Sequence, residues 1–196
     1  LLLTFGLGQD YSLSFDGDDD YVKVEDYTSN FFDKLTISGR VKPYSDDFIN
    51  GSAIVSKYET SNNQRSFAIK FAFIEGEYSL RATATNGNDG GSDFCNYKVI
   101  LEPTFNEWIN FHITYDRLAG QNNRWNFVIN GELLPNIILY ENDISFGQNN
   151  TPILIGGIFD GDHFSQPTDN FYGIIDEIFI SSDKIDYEQL QDNSLY

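Results

Sequence analysis

Apolar and polar residues alternate with a period of two along most of this chain. The pattern is clear in residues 35–42, 66–73, 108–115 and 174–180. Successive side chains of a strand point to opposite faces, so each segment predicts a strand with one face toward a core. Turn signals separate the segments. The strongest is Asn130-Gly131, because a type I′ hairpin turn needs two residues that tolerate positive φ. The chain is therefore expected to be all-β.

The length and composition favour a single domain. The chain has 196 residues, of which 40% are hydrophobic, enough for one large β-sandwich core. Many short strands between turns favour a two-sheet antiparallel sandwich of the jelly-roll kind. Asp186 can cap a helix over residues 187–190, so a short C-terminal helix is expected. No linker or repeat divides residues 9–196, which are predicted to form one domain.

The charge of the chain is strongly one-sided. Thirty acidic residues against 12 basic ones give a formal net charge of -18. This field repels phosphate backbones and anionic membrane surfaces, so neither nucleic acid nor lipid is an expected partner. No segment approaches the ~18–20 apolar residues of a membrane span, and no membrane insertion is expected.

The first eight residues suggest export. Residues 1–8 read as the end of the apolar region of a secretory signal, with Gly6 and Gly8 at the small-residue positions before cleavage. An ordinary first strand is the alternative. A secreted or cell-surface location is predicted. The lone Cys95 has no partner for an internal disulfide and is expected to be a buried, unreactive thiol.

A series of short motifs resembles the laminin-G-like jelly-roll domains, which are related to the pentraxins and to other concanavalin-A-like modules. The matching segments are SLSFDG at 12–17, DDYVKV at 19–24, LTISGRVKP at 35–43, IVSKY at 54–58, WINFHITYD at 108–116, FVING at 127–131, ILIGG at 153–157 and FYGIIDEI at 171–178. The specificity lies in their order rather than in any one motif. The resemblance implies two antiparallel sheets with the first and last strands adjacent. One departure is Gly39-Arg40, where the family prefers a Trp.

Catalytic motifs of enzymes with this fold are missing. Glycoside hydrolases of this type carry alternating carboxylates on one strand, whereas Asp176 and Glu177 are adjacent and point to opposite faces of a strand. The basic strand and the Q-x-H segment of the lyases are also missing, and neither His112 nor His163 has a supporting motif. The chain is therefore expected not to be an enzyme; a polysaccharide-active enzyme with an unrecognised site is the least favoured reading.

A crowded acidic turn suggests calcium. Asp16, Asp18, Asp19 and Asp20 lie in one tight turn, where like charges repel unless they are solvated or bridged by a cation. The resemblance brings the last strand, with Asp176, beside the first. The predicted calcium ligands are therefore Asp16, Asp18, Asp20 and Asp176; a solvated turn is the alternative.

The expected function is binding. Sugar recognition needs aromatic platforms together with polar side chains that reach hydroxyl groups, and Tyr58, Arg81 and Tyr97 are candidates. Asp160 and Asp162, in a long irregular segment, complete the predicted ligand-binding set. The prediction is a calcium-assisted, non-catalytic module for carbohydrate binding or cell adhesion, either alone or within a larger chain. A protein–protein interaction module that binds an extracellular protein is the alternative.

Overall fold

The computed structural model describes residues 3–4, 12–25, 31, 33–45, 51–60, 64–74, 76–87, 93–102, 104–159 and 167–191. These residues form strands, a 3-10 helix at Arg117–Ala119 and one short α-helix, α1, at Tyr187–Gln191. The strands are β1 (Leu3–Thr4), β2 (Leu13–Asp16), β3 (Val22–Val24), β4 (Lys34–Pro43), β5 (Ser52–Glu59), β6 (Gln64–Ile74), β7 (Glu77–Thr85), β8 (Phe94–Ile100), β9 (Ile109–Asp116), β10 (Trp125–Ile129), β11 (Glu132–Leu134), β12 (Ile137–Glu141), β13 (Ile153–Ile155) and β14 (Tyr172–Ser181).

The strands build two antiparallel sheets. Sheet A has the order β1-β14-β4-β9-β10-β11, with β2 also paired to β14, and sheet B has the order β12-β8-β7-β6-β5-β13-β3. This arrangement confirms the predicted antiparallel sandwich. The pairing of β2 with β14 also confirms that an early strand lies beside the last one. Within the described residues, no helix has the length and hydrophobicity that a membrane span requires.

One large core lies between the sheets and is formed by alternate residues of the strands. Trp125, Tyr115, Phe67 and Leu35 are fully buried there. The indole Nε1 of Trp125 donates to the carbonyl oxygen of Cys95 at 3.1 Å, so the polar atom of this large ring is satisfied inside the core. Burial raises the pKa of the Cys95 thiol to about 12. A thiol in this state is protonated at neutral pH, in agreement with the predicted unreactive cysteine.

The same alternation sends the remaining residues of sheet B outward. Phe67, Ile69 and Phe71 of β6 face the core, so the residues between them lie on the opposite side, called here the outer face of sheet B. Part of this face is covered by residues 157–159, whose Ile158 packs on two small outward residues, Ala53 and Ala68. The strands farther from this cover, β7, β8 and β12, carry the candidate site.

The helix α1 begins where the sequence predicts. The side-chain oxygen of Gln189 accepts from the backbone N–H of Asp186 at 2.9 Å, and the N–H of Gln189 donates to the carbonyl of Asp186 at 3.0 Å. The turn before the helix is bound to sheet A through Thr36, whose hydroxyl donates to the carbonyl of Asp183 and accepts from the N–H of Ile185. Residues 183–185 are thereby fixed on the outer side of sheet A.

Candidate functional site

Three cations lie side by side on the outer face of sheet B. Arg81 of β7 is directly opposite Lys70 of β6 and also directly opposite Lys98 of β8. Residues opposite one another in antiparallel strands share a face of the sheet, and strands are about 4.8 Å apart. Lys70, Arg81 and Lys98 therefore form one row across three strands, called here the basic row.

The two outer members of the basic row have acidic partners. Lys70 donates to the carboxylate of Asp169 at 2.5 Å, and Lys98 donates to that of Glu77 at 2.7 Å. Arg81 makes no ion pair within the described residues. The row thus carries three positive charges and two adjacent negative ones, and the unbalanced charge belongs to the central guanidinium.

Polar atoms without partners lie on the same face as the basic row. Ser66 Oγ, Arg81 Nε and Asn96 Oδ1 are buried and have no hydrogen-bond partner within the described part of the chain. Arg81 of β7 belongs to the basic row, and Asn96 of β8 lies in the next row of the outer face. Ser66 of β6 lies on the same face, four residues from Lys70. Most buried polar groups in proteins are hydrogen-bonded, and an unpaired group costs about 1–3 kcal/mol. The unpaired atoms themselves are buried, but Arg81 and Asn96 are partly exposed as residues, so a polar ligand on this face can contact both side chains.

An exposed aromatic ring borders these polar residues. Tyr140 of β12 lies opposite Asn96 of β8 and is 59% exposed. Ile137, opposite Lys98, and Ile100 are also exposed on the same face. An aromatic ring beside donors and acceptors can pack against the apolar side of a sugar ring while the polar groups bind its hydroxyls.

Of the predicted ligand-binding residues, Arg81 and Tyr58 lie on the outer face of sheet B. Tyr58 packs against the covered part of this face, near Ile158. The guanidinium of Arg65 stands over its ring at 5.6 Å. Tyr58 therefore helps to build the wall of the face, whereas Arg81 stands at its centre.

The prediction for Tyr97 is wrong. Its side chain is fully buried on the core side of β8, and its hydroxyl donates to the carboxylate of Glu141. Tyr97 alternates with Asn96 and Lys98, so it shares the parity of the buried Val99. It cannot contact a ligand bound to the outer face. Asp160 and Asp162 lie outside the described residues.

The acidic turn brings a different set of carboxylates together from the one predicted. Oxygen atoms of Asp16, Asp19 and Asp20 lie within 4.8 Å of one another, and all three residues are exposed. Two of these side chains also close the turn itself: Asp20 accepts from the N–H of Asp16 at 3.1 Å, and Asp16 accepts from the N–H of Asp18 at 2.9 Å. The carboxylate of Asp18 is not a member of the group.

Asp176 does not join the acidic turn. The register of β2 on β14 puts Asp16 opposite Tyr172, four residues from Asp176, which corresponds to about 13 Å along a strand. Asp176 lies instead opposite Arg40 of β4 and accepts from its Nη2 at 2.7 Å. The predicted link between the first turn and Asp176 is therefore wrong, although the strands that carry them are adjacent.

A pocket lies on the outer side of sheet A, beside α1. It encloses about 270 Å³ and is lined by His112, Asn110, Asn130 and Tyr187, among others. His112 is 3% exposed and packs edge-on against the ring of Tyr187, at 5.7 Å between ring centres. Burial lowers the pKa of His112, which keeps the ring neutral at neutral pH.

Several residues of the candidate site were missed from the sequence: Lys70, Lys98, Asn96, Tyr140 and Ser66. A partial signal was present. The two-residue connection 75–76 joins β6 to β7, so counting back from it puts Lys70 opposite Arg81. The pairing of Arg81 with Lys98 has no such signal, because a longer connection of residues 86–93 separates β7 from β8.

Comparisons by structure find the same architecture in several binding domains, all of low sequence identity. The carbohydrate-binding module CBM40 of the Ruminococcus gnavus IT-sialidase, bound to α2,6-sialyllactose, has a TM-score of 0.65 at 12% identity, with 97% of this chain and 96% of that chain covered. A heptameric SAP-like pentraxin from Limulus polyphemus has a TM-score of 0.64 at 15% identity, covering 90% and 78%. The chain has the concanavalin-A-like jelly-roll fold.

Domains LG4-5 of the mouse laminin α1 chain extend this comparison, with a TM-score of 0.58 at 14% identity. The match covers 89% of this chain but only 44% of that one. The fold implied by the resemblance to laminin-G-like domains is thereby confirmed. No family model matches the sequence, and no curated protein does either.

Proposed function

We propose that this chain is a non-catalytic carbohydrate-binding module of a secreted or cell-surface protein, with its ligand on the outer face of sheet B. The set of unpaired polar atoms on this face carries the proposal. Arg81 and Asn96 are partly exposed polar side chains on neighbouring strands, each with a buried polar atom that has no partner within the described residues, and Tyr140 offers a ring beside them. Hydroxyl groups are both donors and acceptors, so a sugar can satisfy groups of either kind at once.

The structural comparison is consistent with this proposal. The structure of the CBM40 module, which matches almost the full length of this chain, contains a bound sialylated sugar. A shared fold does not transfer a function, so the proposal depends on the residues of this face rather than on the likeness.

The test introduces a bulky side chain on the outer face of sheet B and, as a control, the same side chain on the outer side of sheet A. Thr83 lies between Asn96 and Ala68 in the same cross-strand row, and a Thr83→Tyr variant fills the face with a residue that suits strands. Asn126→Tyr is the control, on the outward side of β10 in sheet A. Screening on a glycan array, followed by calorimetric titration of the hits, should show binding by the unaltered chain and by the control and a loss with Thr83→Tyr.

Two outcomes of that experiment contradict the proposal. If no glycan binds to the unaltered chain, a protein ligand becomes the better candidate for this face. If Thr83→Tyr binds as well as the control variant, the sugar site lies elsewhere on the molecule. Melting curves of both variants verify that each is folded.

Calcium remains part of the proposal, with altered ligands. The carboxylates of Asp16, Asp19 and Asp20 are close enough to share one cation, and calcium accepts several oxygen ligands in flexible geometry. A bound ion stabilises the folded state by mass action, so melting temperature should fall when a chelator is added. The variant Asp19→Asn should reduce that difference. An unchanged melting temperature with and without chelator would exclude a tightly bound structural ion.

A further inference from the structure

We propose that the ligand of the outer face of sheet B carries a carboxylate and that Arg81 binds this group. The inference rests on the proposed carbohydrate-binding function and narrows it to acidic sugars. Sialic acids and uronic acids both supply the required chemistry.

The charge distribution of the chain is the first argument. With a formal net charge of -18, the molecule as a whole repels anions. The basic row is a local exception, because three of the 12 basic residues stand side by side on adjacent strands. A neutral sugar needs no such arrangement, whereas an anionic one needs a local field that opposes the overall charge.

The pairing within the basic row is the second argument. Asp169 and Glu77 neutralise the two lysines and leave the guanidinium of Arg81 without a counter-ion within the described residues. Like charges directly opposite each other destabilise a sheet, so placing an arginine between two lysines has a cost in the free protein. A bound anion removes that cost and thereby gains affinity.

Space around Arg81 is the third argument. The residues two positions away on β7 are Ser79 and Thr83, and those diagonally across on β6 are Ala68 and Ala72. Ala68, Ala72 and Ser79 are buried, so the face is covered on the β6 side of Arg81. Arg81, Thr83 and Asn96 are partly exposed, so a ligand can reach Arg81 from the side of β8.

The chemistry of the guanidinium is the fourth argument. Its planar fork of N–H donors matches the two oxygens of a carboxylate, and such charge-assisted bonds are about twice as strong as neutral ones. Nε of Arg81 has no acceptor within the described residues. Asn96 and Thr83, on the neighbouring row, are then positioned for the hydroxyl groups of the same sugar.

The experiment compares acidic sugars with neutral counterparts that differ only in the carboxylate. The probes are N-acetylneuraminic acid and its methyl ester, and tri-galacturonic acid and its methyl ester, each titrated by calorimetry or by NMR. The variants are Arg81→Gln and Arg81→Lys, with Lys42→Gln as control, because Lys42 lies on β4 of sheet A and its loss changes the net charge equally.

For the acids, Arg81→Gln should weaken binding by roughly 10- to 100-fold, the range for losing a hydrogen bond to a charged group. Arg81→Lys should weaken binding less than Arg81→Gln does, since lysine keeps the positive charge but lacks the planar pair of N–H donors. Lys42→Gln should change the affinity less than about twofold at physiological salt, where charges this far apart are screened. Whichever of the two acids binds more tightly identifies the class of sugar as sialic acid or uronic acid.

The two proposals fail in different ways. If the unaltered chain binds the methyl esters as tightly as the acids, or if Arg81→Gln weakens acids and esters equally, carboxylate recognition is wrong while carbohydrate binding stands. If neither acids nor esters bind and the glycan array is also silent, the proposed function itself is wrong.

Discussion

Arg40 and Arg81 occupy equivalent positions in the two sheets but have opposite surroundings. Each lies near the middle of a strand and points away from the core. Arg40 is opposite Asp176 on the neighbouring strand, contacts Glu177 at 3.4 Å and stands over the ring of Trp108 at 4.7 Å. Arg81 is flanked on both sides by lysines.

The difference separates a structural arginine from one that is free to bind. Nε and Nη2 of Arg40 both donate to the same oxygen of Asp176, and the other oxygen accepts from the N–H of Glu177 at 2.9 Å. These bonds join β4 to β14 and use most of the capacity of the carboxylate. Within the described part of the chain, the side chain of Arg81 makes no hydrogen bond or ion pair that joins two strands. Arg40 is thus bound to its own chain, whereas Arg81 has no ion-pair partner within the described residues.

The largest effect on stability is expected from Arg40→Met. This change removes the charge but keeps an apolar stem, and it leaves the carboxylate of Asp176, 17% exposed, without its main partner. We expect the free energy of unfolding to fall by about 1–2 kcal/mol, toward the lower end because the arginine itself is partly exposed. Urea denaturation measures the change. A loss below about 0.3 kcal/mol would show that the ion pair does not hold the two strands.

A pH effect is expected on the same side of sheet A. Burial lowers the pKa of His112 below its ordinary value, while the nearby Asp186 and Glu188 oppose the shift. The unfolded chain therefore takes up the proton first as the pH falls through about 6.5, and the free energy of unfolding should decrease from pH 7.5 to pH 5.

His112→Gln separates this effect from other titrations. The variant should have a flatter stability profile between pH 7.5 and pH 5 than the unaltered chain. Hydrogen bonds from Ser145 and Arg117 lower the pKa of Asp33 below its ordinary value, so this carboxylate loses its charge only below the pH range of the experiment. Parallel profiles of the two proteins would mean that His112 is not the group responsible.

The sequence predicted the architecture well because the architecture depends on alternation. Hydrophobic residues at every second position require a buried face, and the turn signals limit the strand lengths. The same logic puts Trp125, which shares the parity of Phe127 and Ile129, in the core, where it lies. Applied to residues 95–99 it would also have placed Tyr97 there, because Tyr97 shares the parity of Cys95 and Val99. That error came from residue type being weighed above position.

The site was less accessible to prediction because it depends on register between strands. Asp16 and Asp176 lie on adjacent strands, as expected, but the pairing offsets them by four residues. A tight hairpin transmits its register to the flanking residues, which is why Lys70 could have been placed opposite Arg81. The long connection before β8 does not fix the register of β8 on β7, so the position of Lys98 opposite Arg81 could not be predicted from the sequence.

The smallest effect on stability, and the closest test of the contrast, is expected from Arg81→Met. The substitution is the same as at Arg40, but here it removes a charge between two lysines and breaks no bond within the described residues. We expect the free energy of unfolding to stay unchanged or to rise by up to about 0.5 kcal/mol, as like charges are separated. High salt should diminish any gain, because screening already relieves the repulsion in the unaltered chain. A loss of 1 kcal/mol or more in urea denaturation would mean that Arg81 has a structural role like that of Arg40, and the outer face of sheet B would then lose its distinguishing feature.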